Sequence, residues 1–285
     1  MKKIMILGSS GMLGHMVYNY LTETNKFQIV DSSYPFSASE NSFLLNVTDK
    51  QAVEDWIRAE KPDVIVNCIG VLIKDSQRDP ANSIYLNSFF PHQLSKILRE
   101  IGGRLIHLST DCVFSGKKGG YAESDFCDAY DMYGRSKALG EVNNGYDITL
   151  RTSLVGPELK ENGEGLLHWF LHQKGLIEGY SNVYWSGVTT LELAKAIEEV
   201  ISQKINGLVH FTSGVRISKF QLLQIIKKIW QLDDITIQES RNLKVDKSLL
   251  KSDSFQYEYR SYEKMLHDLK DWMDNHSQLY KLYNR

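Results

Sequence analysis

A short apolar run, Ile4–Leu7, breaks at Gly8 into the turn Gly8-Ser-Ser-Gly11-Met-Leu-Gly14, and an amphipathic segment follows from about Met12 to Thr22. A strand that passes through a glycine turn directly into a helix opens a βαβ unit. The alternation then repeats: Gln28–Asp31, a helix from about Lys50 to Glu60, Val64–Cys68, a helix across Ile84–Ile101, Arg104–Leu108, a helix across Tyr133–Val142, and Ile148–Leu150. Such an order builds successive parallel strands with helices on the faces of the sheet. The five strands so placed by residue 151 come close to the six of the doubly wound dinucleotide fold, whose ligands sit beyond the carboxyl ends of the strands. The predicted class is α/β, a doubly wound parallel sheet of the Rossmann type with a smaller C-terminal α/β lobe.

After Arg151 the regular alternation gives way to a loop, Gly156–Gly165, then a helix, a short strand and a helix from about Thr190 to Ser202. Gly207–Thr212 reads as a further strand, Ser218–Trp230 as an amphipathic helix, and Tyr262–Asn275 as a last helix with Leu266, Leu269 and Met273 on one face. The expected division is a dinucleotide-binding domain over residues 1–153, with 178–205 returning to it, and a substrate-binding lobe from 154–177 and 206–285. With only five prolines in the chain, no linker marks the boundary.

The 33 basic and 35 acidic residues are scattered, which argues against nucleic acid and for a small partner. Cys68, Cys112 and Cys127 are odd in number and contain no Cys-x-x-Cys pair, so neither a disulfide framework nor a thiolate zinc site is expected. The apolar stretch after Met-Lys-Lys is too short for a signal peptide, and Asp63–Ile73 is interrupted by Asn67, so a soluble cytoplasmic protein without membrane partners is expected. His168 and His172 lie one helical turn apart but lack the glutamate of a His-Glu-x-x-His zinc motif, and no metal is predicted. The sequons at Asn46 and Asn275 are accidental in such a chain, and Trp169, Trp185 and Trp230 read as packing residues.

Two features carry chemistry. The glycine turn lets a pyrophosphate approach the N-terminus of the first helix, with Gly8, Ser10, Gly11, Met12 and Leu13 as the candidate contacts, and no Gly-Lys-Ser/Thr follows that would make it a P-loop. Asp31 closes the second strand roughly twenty residues on, where a carboxylate can accept hydrogen bonds from adenosine ribose hydroxyls. Tyr133-Gly-Arg-Ser-Lys137 puts a phenol and an ammonium at i and i+4 on one helix face. The cation is expected to lower the tyrosine pKa toward that of a working proton donor. The preceding strand ends in Leu108-Ser-Thr-Asp-Cys-Val-Phe114, from which Thr110 can hold a substrate oxygen beside Tyr133.

The glycine run, Asn67-Cys-Ile-Gly70, Asn87, Ser109-Thr-Asp-Cys-Val-Phe114, Tyr121-x-Glu-x-Asp125, Tyr133-Gly-Arg-Ser-Lys-x-x-Gly-Glu141 and Arg151-Thr-Ser-x-Val-x-Pro157 together resemble extended short-chain dehydrogenases, and among these most of all the dTDP-4-dehydrorhamnose reductases. The likeness covers nearly all of residues 1–230. It implies an NAD(P)H cofactor, a nucleotide-sugar substrate, and Thr110, Tyr133 and Lys137 as the catalytic trio. It also implies that Lys137 holds the nicotinamide ribose, that Asn46 and Val47 lie by the adenine, and that Cys68, Ile69 and Gly70 line the cofactor. Thr110, Asp111, Cys112, Tyr133 and Leu154 are then the expected substrate contacts.

The sequence departs from those reductases at Cys112, where they usually have tyrosine, at Leu154 in place of tryptophan, and at Asn46 in place of aspartate. Some dimerise around magnesium through an acidic residue just after the glycine motif. Here that residue is His15, with Glu192 left as a possible ligand, and a homodimer stays open. Sugar 4,6-dehydratases carry Thr-Asp-Glu at the strand end, so Cys112 speaks against dehydration. Epimerase–reductases similar to GDP-fucose synthase place a cysteine two residues after the catalytic hydroxyl, as here, and need a later histidine, for which His168 is a loose positional match. A non-catalytic nucleotide-binding regulatory subunit is the remaining alternative.

Overall fold

The structure, a computed structural model, describes residues 1–35, 41–203 and 205–283. In the N-terminal half the chain runs β1 (Lys3–Leu7), α1 (Met12–Glu23), β2 (Gln28–Ser33), β3 (Phe43–Leu44), α2 (Lys50–Glu60), β4 (Val64–Asn67), short helices α3 (Ile73–Arg78) and α4 (Pro80–Ser83), a π-helical turn (Ile84–Phe89), α5 (Phe90–Ile101), β5 (Arg104–Thr110), α6 (Met132–Leu139) and β6 (Ile148–Thr152). It continues through β7 (Leu154–Val155), α7 (Leu166–Leu171), β8 (Gly175–Tyr180), β9 (Val183–Trp185), β10 (Val188–Thr189), α8 (Thr190–Ser202), β11 (Gly207–His210), β12 (Ile217–Ser218), α9 (Lys219–Trp230), β13 (Ile235–Ser240), β14 (Val245–Asp246) and α10 (Tyr262–Asn275).

The main sheet has the order β11-β6-β5-β4-β1-β2-β3, and every pair in it is parallel. Ile4, Met5, Ile6 and Leu7 are all fully buried, as a central strand covered on both faces requires. Alternate side chains feed two cores. Ile4, Ile6, Val64, Val66, Ile106 and Leu108 face Met16 and Val17 of α1 and Ala194 and Ile197 of α8, whereas Met5, Leu7, Ile65 and Leu105 face Val53 and Ile57 of α2 and Leu94 and Leu98 of α5. This is a doubly wound sheet. Its strand order reverses between β1 and β4, and the crevice at that switch point is where ligands bind in such sheets.

Three elements differ from expectation. The two-residue β3 is too short to stand out as an apolar run. The segment expected to be one helix across Ile84–Ile101 begins with a π-helical turn, which turns Asn87 inward. The predicted boundary at residue 206 falls just before β11, which pairs with β6 as the seventh strand of the main sheet and so is not part of the lobe. Beyond the sheet lie the three-stranded sheet β12-β9-β14 and the pair β13-β8, flanked by α9 and α10. Phe211, Trp185, Leu222, Ile226 and Leu266 belong to the same buried cluster as Ile4 and Val17, so this lobe shares its core with the α1 face of the sheet.

Candidate active site at the switch point

A cavity of about 470 Å³ opens beyond the carboxyl ends of β1, β4 and β5. It gathers most of the expected residues: Ser10, Gly11, Met12 and Leu13 from the glycine turn, Cys68, Ile69 and Gly70 after β4, Thr110, Asp111 and Cys112 after β5, Tyr133 and Lys137 on α6, and Leu154 on β7.

The floor is shaped by glycines. Gly8 has φ +84°, and a Cβ on Gly14 would stand 2.0 Å from the Gly8 carbonyl oxygen, so no larger residue lets α1 start this close to β1. Gly11 is the N-cap of α1 and brings no side-chain hydrogen bond. The first-turn amides therefore face the cavity without a side-chain cap, an arrangement suited to a phosphate. Gly8 itself does not line the cavity and acts through the turn.

Lys137 is buried, and its Nζ donates to the Leu108 carbonyl at 2.6 Å. Burial lowers its pKa to about 8. The N-cap Asp131, which accepts from the Gly134 amide, starts α6 beside the β5 end. Gly134 permits the approach, since a Cβ there would lie 2.3 Å from the Cys112 carbonyl oxygen. Tyr133 is thereby placed in the same cavity as the Thr110 hydroxyl, which receives the Cys112 amide at 3.1 Å and donates to Asp111 Oδ1 at 3.2 Å. The expected lowering of the Tyr133 pKa by Lys137 is not found. Burial pushes the phenol up, the negative charge of neighbouring groups adds to this, and only the Thr110 hydrogen bond opposes it.

A layer of polar groups fixes this geometry from behind. Asn87 donates to the Val71 carbonyl at 3.0 Å and accepts from the Val71 amide at 2.8 Å, and its Nδ2 also reaches Ser136 Oγ on α6 at 3.1 Å. The loop after β4 is thus tied to the helix of Tyr133 and Lys137. Ser109 donates to Glu141 at 2.6 Å, and Glu141 takes a two-point ion pair from the buried Arg151 at 2.9 and 2.7 Å.

Several expected residues lie outside the cavity. Asp31 is buried beneath the glycine turn, where its Oδ2 accepts from the hydroxyls of Ser9 and of Ser42, the latter at 2.5 Å. Asn46 is exposed and its Oδ1 closes a local turn onto Thr48, while Val47 is buried with its carbonyl receiving the Tyr85 hydroxyl. His168 also stands apart from the cavity: its ring bonds the Tyr283 hydroxyl at 2.8 Å and the Glu161 carbonyl at 3.1 Å and stacks on His172. His15 is buried between the Gly11 carbonyl and the Tyr280 hydroxyl, and Glu192 is buried against Tyr257 and Arg260. Among the described residues no three His, Cys, Asp or Glu side chains gather as a metal site, and no helix is long and apolar enough to cross a membrane.

The sequence reading missed the opposite wall, formed by Thr152, Ser153, Glu158, Leu159, Lys160, Glu164 and Gly165. Glu158 holds this loop closed by accepting from the Gly165 amide at 2.5 Å, and its own amide donates to the Tyr283 hydroxyl at 2.7 Å. The only signal in the sequence was the cluster of glycines and charges across 156–165, which has no periodicity.

The fold and this pocket define an extended short-chain dehydrogenase. Residues 1–268 match the model of the RmlD substrate binding domain, and the chain belongs to that family. It is similar to methionine adenosyltransferase 2 subunit beta of Xenopus laevis, 24% identical over 235 residues that cover 78% of this chain and 70% of that one. It is also similar to dTDP-4-dehydrorhamnose reductase of Aggregatibacter actinomycetemcomitans, 30% identical over 168 residues, 57% of this chain and 54% of that one. Among solved structures, a dTDP-4-dehydrorhamnose reductase from Clostridium acetobutylicum superposes with a TM-score of 0.80 at 21% identity, covering 95% of this chain and 99% of that one. The Bacillus anthracis reductase, solved in complex with NADP, gives 0.81 at 18% identity, covering 95% and 100%.

Proposed function

We propose that this chain is an NAD(P)H-dependent reductase of a nucleotide-linked 4-keto-6-deoxy sugar, serving the synthesis of cell-surface polysaccharide sugars. The observation that carries the proposal is the convergence of Thr110, Tyr133 and Lys137 in one cavity whose other end is the uncapped N-terminus of α1. The residues present suit a dinucleotide: backbone amides and close-packed glycines for the pyrophosphate, Cys68, Ile69 and Gly70 along its length, and the Lys137 ammonium for the ribose. Bound reduced nicotinamide supplies the hydride. Thr110 orients the carbonyl oxygen of the substrate, and Tyr133, which lines the same cavity, gives its phenolic proton to that oxygen as negative charge develops on it. Burial keeps the phenol protonated, so the proton is present to be given, although the raised pKa makes the phenol a weaker acid than the spacing to Lys137 implied. The residues beyond Thr152, apart from α8 and β11, would form the wall that takes the sugar.

A second reading rests on the methionine adenosyltransferase relatives, which are named as subunits of an enzyme. In that reading the chain binds a dinucleotide and turns nothing over. Cofactor oxidation across a panel of dTDP-, UDP- and GDP-linked 4-keto-6-deoxy sugars decides between the two. Turnover with any member supports the reductase, and cofactor binding without turnover of any member supports the subunit.

A further inference from the structure

The motif Arg151-Thr-Ser at the end of β6 carries a hydroxyl that the reduction described above does not use. Ser153 lines the pocket, half-buried, on the wall that the lobe supports. Strand pairing sets its place relative to the reacting carbonyl. Thr110 is the register partner of Thr152 on the neighbouring parallel strand, so Ser153 stands one residue beyond the position beside Thr110. Neighbouring strands lie about 4.8 Å apart, a separation from which two hydroxyls can reach two adjacent oxygens of one sugar ring.

The lobe fixes this residue on two sides. The Ser153 carbonyl accepts from the Val188 amide at 2.9 Å, and its hydroxyl oxygen accepts from Trp185 Nε1 at 2.7 Å. Trp185 is buried on β9, packed against the Tyr262 ring. A Cβ on Gly187 would lie 2.0 Å from the Ser153 carbonyl oxygen and 2.4 Å from Trp185 Cζ2, so only glycine there lets the indole come this close. An indole N–H can donate and never accept, whereas a hydroxyl has one proton of its own to donate. The Ser153 proton is therefore turned away from Trp185, and among the described residues it has no acceptor. The other aliphatic hydroxyls at these strand ends are engaged: Ser109 donates to Glu141 at 2.6 Å, Thr110 to Asp111 at 3.2 Å and Thr152 to the Ser153 carbonyl at 3.4 Å. Ser153 thus brings to the pocket a donor whose oxygen is anchored and whose proton has no partner in the protein.

We propose that Ser153 is a specificity-determining residue, which donates to the ring hydroxyl next to the reacting carbonyl and so selects an α-hydroxy ketone. Of the two carbons that flank carbon 4 of a 6-deoxy sugar, carbon 3 alone carries a hydroxyl, so that hydroxyl is the one recognised. The assignment deepens the reductase reading and rests on it for the identity of the pocket. Its test is equilibrium binding to the full chain, with NADPH present, of the glucose and 3-deoxyglucose conjugates of dTDP, UDP and GDP. The wild type should prefer the glucose conjugate by about three- to tenfold, as one neutral hydrogen bond does, and Ser153→Ala should abolish the preference with NADPH affinity unchanged. Ser153→Ala also leaves the buried Trp185 N–H without an acceptor, so its melting temperature should fall. Combining it with Trp185→Phe removes both partners and should recover part of that loss, while the preference stays absent. A preference that returns with the stability would make Ser153 a packing partner of Trp185 alone and overturn the proposal. So would a preference that survives Ser153→Ala, or equal binding of the two conjugates by the wild type. The readout needs no turnover: a Ser153-dependent preference without reduction of any keto sugar would sink the reductase and leave the role of Ser153 standing. Reduction with a preference indifferent to Ser153 would do the reverse.

Discussion

The two walls of the pocket are built by different means. The sheet-side wall is built on parallel strand ends and a glycine turn, with one helix drawn against the end of β5 by Gly134. The lobe-side wall is the loop over 152–165, tied down by side chains from elsewhere in the chain, as the Tyr283 hydroxyl receives the Glu158 amide and Trp185 donates to Ser153. In the proposed reading the first wall carries the reduction and the second selects the molecule that reaches it, so substitutions in the two should differ in kind.

Tyr133→Phe tests the sheet-side wall with the largest expected effect. The ring still packs and the cofactor still binds, but the proton donor is gone, so kcat should fall by about 10²–10⁴-fold with little change in cofactor affinity. Near wild-type turnover in this variant would remove Tyr133 from the chemistry and the contrast between the walls with it.

In the proposed reading Lys137 holds the cofactor ribose, so Lys137→Met should weaken cofactor binding by about tenfold in addition to lowering turnover. The pH dependence has a definite sign. With the ammonium pKa lowered to about 8, the lysine is charged below that pH and loses its proton as pH rises through it. Cofactor affinity of the wild type should therefore decline on the alkaline side near pH 8, and the methionine variant should show no such limb. Titration of NADPH binding by fluorescence measures both.

Much of the sheet-side wall was legible because its signals are local. Gly8-x-x-Gly11-x-x-Gly14 is a short window, and Tyr133 and Lys137 share one helix face whatever else the chain does. The surroundings of Asp31 were not legible, because a strand-end carboxylate looks the same in sequence whatever hydroxyls it meets, here those of Ser9 and Ser42. The sign of the Tyr133 shift was also beyond reach, since i,i+4 spacing places the lysine nearby but says nothing of burial or of the Leu108 carbonyl that engages it. The lobe-side wall has no periodic signature. Its loop is anchored by Trp185 and Tyr283, which lie far along the chain.

The C-terminal segment joins the walls and gives a smaller, pH-dependent effect. Tyr283 holds the loop of Glu158, and Tyr280 donates to His15 Nε2 at 3.1 Å while His15 Nδ1 donates to the Gly11 carbonyl at 2.9 Å. Tyr283→Phe should loosen the loop and weaken cofactor binding by about three- to tenfold. Burial lowers the His15 pKa to about 4 from an ordinary 6.5. The unfolded chain takes up this proton first, so stability present above pH 6.5 is lost as pH falls toward 4, by about 3 kcal/mol in full. His15→Gln should flatten that part of the stability profile, and denaturant unfolding at pH 7 and pH 4.5 provides the comparison. An unchanged slope would mean that the imidazole is not neutral in the fold.

The smallest effect is expected at Cys112, which sits where the two walls meet. As an epimerisation acid it would need a thiol that can cycle its proton and a second acid–base group across the ring. Burial and the Asp111 charge push the thiol up to about 11, and His168, the histidine that the epimerase–reductase reading required, is bonded to Tyr283 and Glu161 outside the pocket. Cys112 therefore reads as a small packing residue whose amide bonds the Thr110 hydroxyl. Cys112→Ser should reduce substrate within about twofold of wild type, with a small loss of stability, and the product should keep its configuration at carbons 3 and 5. Run in deuterated water, the wild-type reaction should leave both carbons unlabelled. Deuterium at either carbon that disappears in the serine variant, while a pre-epimerised sugar is still reduced, would make Cys112 an acid and give the lobe-side wall a chemical step of its own.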